Sequence, residues 1–403
     1  MPGSMEENTV TLEIGAGLAL TAPTRLRTNI ILVVGQTPPP LGGQTIMIQH
    51  LLQGTYRNEK FVHVRMGFSD GLDKVGKFHP SKLLELMKVL IRIVAARLRY
   101  KADILYYPPA GPNFVPIMRD LAILCGTRWM FRKTIFHFHS GGLCQYYSCL
   151  PWPLRKLFDL AYRRPDIAIR IAASTPPDAV FLQAKHEFIV HNGVPDDAAI
   201  YFKKYPRTAL DSQRKKGLNI LFVAVLREDK GVMVLLRACR MLKEKRIDFV
   251  VSLVGKFVSE EFRKLVLNYV AEAGLTDHVC FLGVLDGDAK RAAYYEADVF
   301  CFPTFFDSET FSLVIIEALS FGIPVVTTRW RGIPDMLEGS GAAFLLPPQD
   351  EASVAEALAT LAADKDLRRK MGENARRRYV ENYTLDHHRA ALQNAFDSLQ
   401  NPD

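Results

Sequence analysis

Two glutamates eight positions apart, Glu309 and Glu317, stand in the stretch FPTFFDSETFSLVIIEALSFGIPVV at 302–326, one ahead of an apolar helical pattern and one within it. With Thr310 or Ser312 opening the helix, Glu309 falls in the preceding loop and Glu317 more than one turn inside. Eight helical steps advance about 12 Å, whereas two carboxylates that share one glycosidic bond stand about 5 to 9.5 Å apart. The pair therefore suits two different parts of one extended ligand better than two roles on one atom.

The backbone between the glutamates suggests the middle of that ligand. The N–H groups near Thr310, Phe311, Ser312 and Leu313 have no carbonyl one turn behind them, and the helix dipole favours an anion at this mouth. A phosphate there, with sugar hydroxyls on Glu309 and ribose hydroxyls on Glu317, is the layout of a nucleotide diphosphate sugar. Spacing alone leaves another reading open, with Glu309 a solvated loop acid and Glu317 a polar interruption on a helix flank.

The elements that must position these residues repeat one pattern. A chain of 403 residues exceeds what one hydrophobic core usually supports, which predicts two domains. NIILVVG, KFVHVRM, DILYY, KTIFHFH and AIRIAAS read as strands, with helices near 43–54, 80–99, 113–125 and 154–163. The pattern restarts with NILFVAVL, DFVVSLVG, HVCFLG, ADVFCFP and IPVVTT, with helices over 230–245 and after Ser312. Strands apolar on both faces and separated by helices predict an α/β fold, two doubly wound parallel-sheet domains facing a cleft at the carboxyl ends of their strands. The expected division is a tail over 1–27, a first domain over 28–200, a linker over 201–217, a second domain over 218–375, and a terminal helix over 376–403 that packs back towards the first domain.

At this point the sequence resembles a known family. SETFSLVIIEALSFGIPVV is similar to the E-x7-E signature of the retaining GT-B glycosyltransferases of family GT4, and REDKG at 227–231 occupies the place of that family's diphosphate-binding loop. The resemblance covers about 29–375 and is strongest over 219–346. It implies a GT-B fold, a nucleotide diphosphate sugar as donor substrate, transfer with retention, and no metal or other cofactor. It also implies that Glu309 lies against the transferred sugar and Glu317 binds the ribose.

Positive charge is needed on the leaving group, and Arg227 and Lys230 follow the first strand of the second domain. Lys230 matches the family pattern directly. The family's usual arginine neighbourhood is occupied here by Ala224 and Val225, so Arg227 either supplies a guanidinium from a shifted position or points to solvent. In GQTPPPLGGQT at 35–45, Gly42 and Gly43 precede a helix and are expected to take a backbone shape closed to other residues, bringing N–H groups close to the donor; the loop resembles the family's glycine-rich acceptor-side loop. IFHFHSGG at 135–142 puts His137 and His139 on one strand face, with His139 nearer the cleft and His137 a candidate core residue; the segment resembles the family region whose histidine contacts the sugar. Asn192 and Gly193 read as a structural turn, and Gly255, Lys256 and Gly283 as strand ends bordering the base pocket. The order G-x-G-x-x-G is missing, which weighs against an oxidoreductase.

The formal charge of +8 favours anionic partners. Without zinc-finger spacing or a long basic array, nucleic acid is not expected among them. Six scattered cysteines suit a reducing compartment, and the start MPGSMEENTVTLEIGAG reads as a tail with no signal peptide, so a cytoplasmic location is expected. Residues 82–101 carry six basic residues and one acidic one, with Lys88, Arg92 and Arg99 in one stripe and Leu83, Met87, Leu90 and Val94 in another. With YYSCLPWPLRKLFDLAYRR at 146–164, they suggest contact with an anionic inner membrane face. The plainer alternative has the apolar stripe cover the sheet and the basic residues face water. By resemblance the acceptor is a glycan or lipid-linked glycan of cell-surface polysaccharide assembly; the alternatives are a soluble small-molecule acceptor, or a GT-B phosphorylase or nucleotide-sugar epimerase.

Overall fold

Ile31, Leu32, Val33 and Val34 are apolar in succession and all have zero exposure, so the strand they form needs cover on both faces. A computed structural model describes residues 28–67, 80–205 and 217–400; the expected tail over 1–27 and most of the expected linker, 206–216, lie outside the described residues. The first parallel sheet contains β1 (Asn29–Gly35), β2 (Glu59–Arg65), β3 (Ile104–Tyr107), β4 (Lys133–Phe138), β5 (Ile167–Arg170) and β6 (His186–Ile189), in the order β2-β1-β3-β4-β5-β6. The second contains β7 (Leu218–Val223), β8 (Phe249–Val254), β9 (Val279–Gly283), β10 (Val299–Phe302), β11 (Val325–Thr328) and β12 (Ala343–Leu346), in the order β12-β11-β10-β7-β8-β9. Each order reverses direction once, between β1 and β3 and between β7 and β10. Open crevices in such sheets lie at these reversals, beyond the carboxyl ends of the strands.

The first sheet has a separate apolar core on each face. Helices Pro80–Tyr100, Phe114–Thr127 and Trp152–Tyr162 cover one face through residues such as Val89, Ile93, Leu121 and Phe158. Helix Gly43–Gln53 covers the other, joined by the terminal helix Leu385–Asp397 through Leu392, Ala395 and Phe396. The chain thus returns to the first domain, and the return begins at Thr384. Residue 376 lies inside helix Lys365–Asn382, whose Tyr379 hydroxyl donates to the Val194 carbonyl at 2.9 Å.

One other boundary also differs. Val194 and Ala198 are buried with the second core, and helix Asp197–Lys204 occupies the start of the expected linker. Its Asp196 cap accepts from the Ala199 N–H at 3.0 Å and holds Arg376 of the second domain at 2.6 Å. In helix Pro80–Tyr100 Val89 and Ile93 are buried, whereas Leu83 and Met87 stand exposed, so the stripe that contains them does not cover the sheet as the plainer alternative had it. No helix among the described residues is long and apolar enough to cross a membrane.

Candidate functional site

After β10 the chain turns through 303–312, and Ser312 caps helix Leu313–Ser320. That helix buries Ile315, Ile316, Ala318 and Leu319, which leaves Leu313 and Glu317, four residues apart and hence on one side, facing a cavity of about 600 Å³. Glu309, Thr310, Phe311, Ser312, Leu313, Glu317 and Lys230 all line it, and Gly42, Gly43 and His139 line it from the first domain. The fold therefore gathers into one cleft residues spread over more than 270 positions of sequence. Gly255 and Lys256 border it as well, and Gly283 does not.

Each glutamate holds a cation. Lys230 Nζ lies 2.5 Å from Glu309 Oε2, and the same ammonium sits 4.1 Å from the centroid of the Phe306 ring. Lys230 ends a short turn, Glu228–Lys230, and Gly231 follows at φ +88° with the Pro303 carbonyl pressed where a side chain would be; a left-handed residue with no Cβ is needed to bring this turn against the β10 loop. At the other end, Lys290 Nζ lies 2.6 Å from Glu317 Oε1 and the Tyr294 hydroxyl donates to Glu317 Oε2 at 2.7 Å. Burial and then the Glu317 charge hold the Tyr294 phenol well above its ordinary pKa, so it remains a donor.

Lys290 and Tyr294 were not among the expected residues. They lie on helix Gly287–Glu296, and the signal available in the sequence was their four-residue spacing, which puts both on one helix side. Nothing in the sequence linked that side to Glu317, which is 27 residues from Lys290.

Arg227 is the expected residue that the structure does not bring into the cavity. Its Nη2 donates to Asp229 Oδ2 at 2.6 Å, and its guanidinium lies 4.8 Å from the Phe306 centroid. A carboxylate two residues on and an aromatic face satisfy it outside the cavity wall. Beneath, Ala224 and Val225 line the cavity.

The glycine pair also acts differently from the expectation. Gly42 has φ −157° and ψ 159°, an extended shape open to any residue, and its N–H donates to Thr45 Oγ1 at 3.0 Å as helix Gly43–Gln53 begins. A Cβ built at Gly43 would be 3.9 Å from Leu313 Cδ1 across the cleft. What the pair provides is a wall without side chains, not a left-handed backbone.

His139 lines the cavity with both ring nitrogens shielded from water and without a partner, and burial, followed by the proximity of His388, pushes its pKa down to about 3. It is a neutral imidazole able to accept one hydrogen bond and donate another. His137 is a core residue: its Nδ1 is paired with the Tyr106 hydroxyl, and its ring stacks on His139 with centroids 4.1 Å apart. Asn192, read as part of a turn, instead faces the cavity with its Oδ1 buried and unpartnered.

The two domains meet at the same loop. Thr310 Oγ1 donates to the His139 carbonyl at 2.8 Å, and the His191 ring stacks on Phe311 with centroids 5.2 Å apart. A ligand lying across Glu309, the helix mouth and Glu317 would contact both halves.

Parts of the chain are similar to known proteins. Residues 210–378 match the family model for glycosyl transferases group 1. The chain is 32% identical over 197 residues to a phosphatidyl-myo-inositol mannosyltransferase of Mycobacterium leprae, covering 47% of this chain and 49% of that protein. It is 27% identical over 298 residues to a sulfoquinovosyl transferase of Arabidopsis thaliana, covering 71% of this chain and 54% of that one. The chain thus spans about half the length of these curated relatives. Among solved structures, Anabaena HepE in complex with UDP superimposes with a TM-score of 0.69 at 18% identity, covering 92% of this chain and 100% of that one. The two facing parallel sheets agree with these matches: the fold is GT-B, and its second half, residues 210–378, is similar to the glycosyl transferases group 1.

Proposed function

We propose that this protein transfers a sugar, with retention and without a metal, from a nucleotide diphosphate sugar to a hydroxyl of a glycan or lipid-linked acceptor. The observation that carries this reading is the joint placement of Lys230, the helix mouth at Thr310–Leu313, Glu309 and Glu317 in one cavity. The anion belongs at the helix mouth, where Lys230 turns from Glu309 towards the phosphates. Glu309 is then released to take hydroxyls of the transferred sugar, and Glu317, steadied by Lys290 and Tyr294, takes the ribose diol. His139 offers its imidazole to the sugar from the opposite wall. The complexes of Anabaena HepE with UDP and with UDP-glucose support this class of ligand for the fold.

In the proposed step the bond from the anomeric carbon to the phosphate oxygen breaks and a bond to the acceptor oxygen forms on the same face. The acceptor proton passes to an oxygen of the departing phosphate. Negative charge grows on that phosphate as the bond breaks, so the ammonium of Lys230 and the helix mouth bind the transition state more strongly than the ground state. The name of the mycobacterial relative, a phosphatidyl-myo-inositol mannosyltransferase, supports a lipid-linked acceptor, and the reading places the reaction in cell-surface glycan assembly at the cytoplasmic face of a membrane. Cysteines without a disulfide among the described residues agree with that reducing side.

NMR of the product tests the reading. We expect the anomeric configuration of the donor to be kept and turnover to persist in a chelator; an inverted anomer overturns retention. Donor incubated without acceptor should remain unchanged, whereas its epimerisation, or release of a sugar phosphate that requires added phosphate, would support an epimerase or a phosphorylase.

A further inference from the structure

The first domain is not covered alike on its two faces. Helices Gly43–Gln53 and Leu385–Asp397 leave no large apolar side chain exposed among the described residues. The opposite layer does so on every helix. Along Pro80–Tyr100, Leu84, Ile91 and Leu98 are 68, 64 and 67% exposed. Trp129, at the end of the neighbouring helix, is 78% exposed and Trp152, opening the third, 68%. Two of the three tryptophans of the chain thus point outward on one layer, and tryptophan is a side chain enriched where water meets lipid.

The charge on this layer is placed beside the apolar ridge. At about 100° per residue, Leu84, Ile91 and Leu98 form a line along the helix, and Lys88, Arg92 and Arg99 form a second line on the flank towards β2. Between that flank and β2 lies a cavity of about 520 Å³, lined by Arg65, Arg92 and Arg99. Arg65 is fixed there by donating to the Pro39 carbonyl at 2.6 Å. Among the described residues Glu85 is the carboxylate paired with Arg92, at 3.5 Å, and it also pairs with Lys88 at 3.4 Å. One acid is thus shared between two cations, and the described lining of the cleft has an excess of positive charge.

We propose that this layer docks on an anionic lipid bilayer, with the phosphate of a lipid headgroup seated among Arg65, Arg92 and Arg99 and the ridge of Leu84, Ile91 and Leu98 entering the acyl boundary beside it. A guanidinium cluster next to an apolar ridge matches a ligand whose phosphate is attached to a hydrocarbon chain; a soluble anion would use only the first, and a neutral protein surface only the second. This docking deepens the transfer reading, on which it rests only for its purpose: it would hold the cleft beside membrane-borne acceptors.

Co-flotation of the full chain with vesicles tests it, using phosphatidylcholine with and without phosphatidylglycerol. Wild type is expected to float with the anionic vesicles and not with phosphatidylcholine alone, and added salt should reduce binding without abolishing it. The pair Arg92→Gln and Arg99→Gln should weaken binding by about 30-fold, at roughly one factor of five per charge. The charge-keeping pair Arg92→Lys and Arg99→Lys should retain most of it. The pair Ile91→Ser and Leu98→Ser should lose the salt-resistant part. Equal binding to both vesicles, no binding at low salt, or undiminished binding by the glutamine pair overturns the proposal. Displacement by inorganic phosphate at equal concentration would make the cleft a free-anion site and equally overturns it. A dimer that exists without lipid and dissolves on Ile91→Ser and Leu98→Ser would assign the ridge to a second copy instead. Calorimetric titration with UDP keeps the two readings apart: the docking variants should bind UDP as wild type does, and failure of wild type to bind it would count against the transfer reading while leaving the docking result standing.

Discussion

At the crevice beyond β7 and β10 the functional side chains are charged and paired, Lys230 with Glu309 and Lys290 with Glu317. Facing them, beyond β1 and β4, the wall is made of Gly42, Gly43 and the neutral imidazole of His139. Both halves are doubly wound sheets, so in the proposed reading the difference comes from what each would hold. A diphosphate and a ribose diol would call for charge fixed in advance, because preorganised charges need not rearrange during the reaction. A sugar and its incoming hydroxyl call for shape and for neutral hydrogen-bonding groups. The comparison can be broken from either side.

Acidification should strike the neutral side first. Burial holds His137 well below its ordinary value of 6.5, His139 at about 3 and His388, on the terminal helix, at about 4. All three folded-state values lie below the unfolded one. As the pH falls below 6.5 the unfolded chain takes up protons that the native one refuses, so the stability present above 6.5 is lost progressively. From pH 7.5 to 5.5 His139 and His388 should each cost about 1.3 kcal/mol, roughly 2.6 kcal/mol together, and His137 should add to the loss in the same direction. Urea unfolding at the two pH values measures it. A flat profile would mean that these imidazoles are solvated in solution.

Lys230→Ala tests the charged side. Loss of one group that stabilises developing charge costs about 3 kcal/mol, or two to three orders of magnitude in turnover. Single-turnover rates at saturating donor should show it, with the folded state checked by thermal melting. A rate within threefold of wild type would remove Lys230 from the chemistry.

Glu317 should behave otherwise, because it is asked to bind and not to stabilise charge in transit. Glu317→Gln is expected to raise the donor KM roughly tenfold with kcat nearly kept, and Tyr294→Phe to do the same more weakly, as loss of one hydrogen bond to a charged group costs about 1.5 kcal/mol. A fall in kcat with KM unchanged would place Glu317 nearer the breaking bond than the helix geometry allows.

What the sequence revealed, and what it hid, follows the same division. Ten of the twelve strands were legible as β-branched, apolar-rich runs, most of them buried on both faces, with the edge strands β2 and β9 five to seven residues long; β6 and β12 were not, being four-residue edge strands whose positions are largely half-buried or exposed. The signature residues could be read because Glu309, Ser312 and Glu317 lie on one short segment, where helical geometry fixes their order. Lys290, Tyr294 and Asn192 could not, since Lys290 and Asn192 reach the cavity, and Tyr294 reaches Glu317, through tertiary packing from distant elements. Gly42 was named correctly as a lining residue but for the wrong cause, because a glycine in sequence does not say whether it is there for its φ or for its missing side chain.

Arg227 gives the finest test of the comparison, since the smallest effect is expected there. If the charged half works through cations fixed at the cavity, a guanidinium tied to Asp229 at 2.6 Å and laid over Phe306 lies outside that set. The pair is partly exposed, with 37 and 29% of the two side chains open to solvent, and pairs of this kind are worth about 0 to 1 kcal/mol. Arg227→Ala should therefore lower kcat/KM no more than about fivefold, mostly through loosening of the turn that carries Lys230. The double variant Arg227→Ala with Asp229→Ala sharpens the point, because it removes the carboxylate left unpaired by the single change and should recover part of even that loss. A hundredfold fall in both variants would show that Arg227 swings into the cavity when donor binds, and the charged half would then contain a movable cation as well as fixed ones.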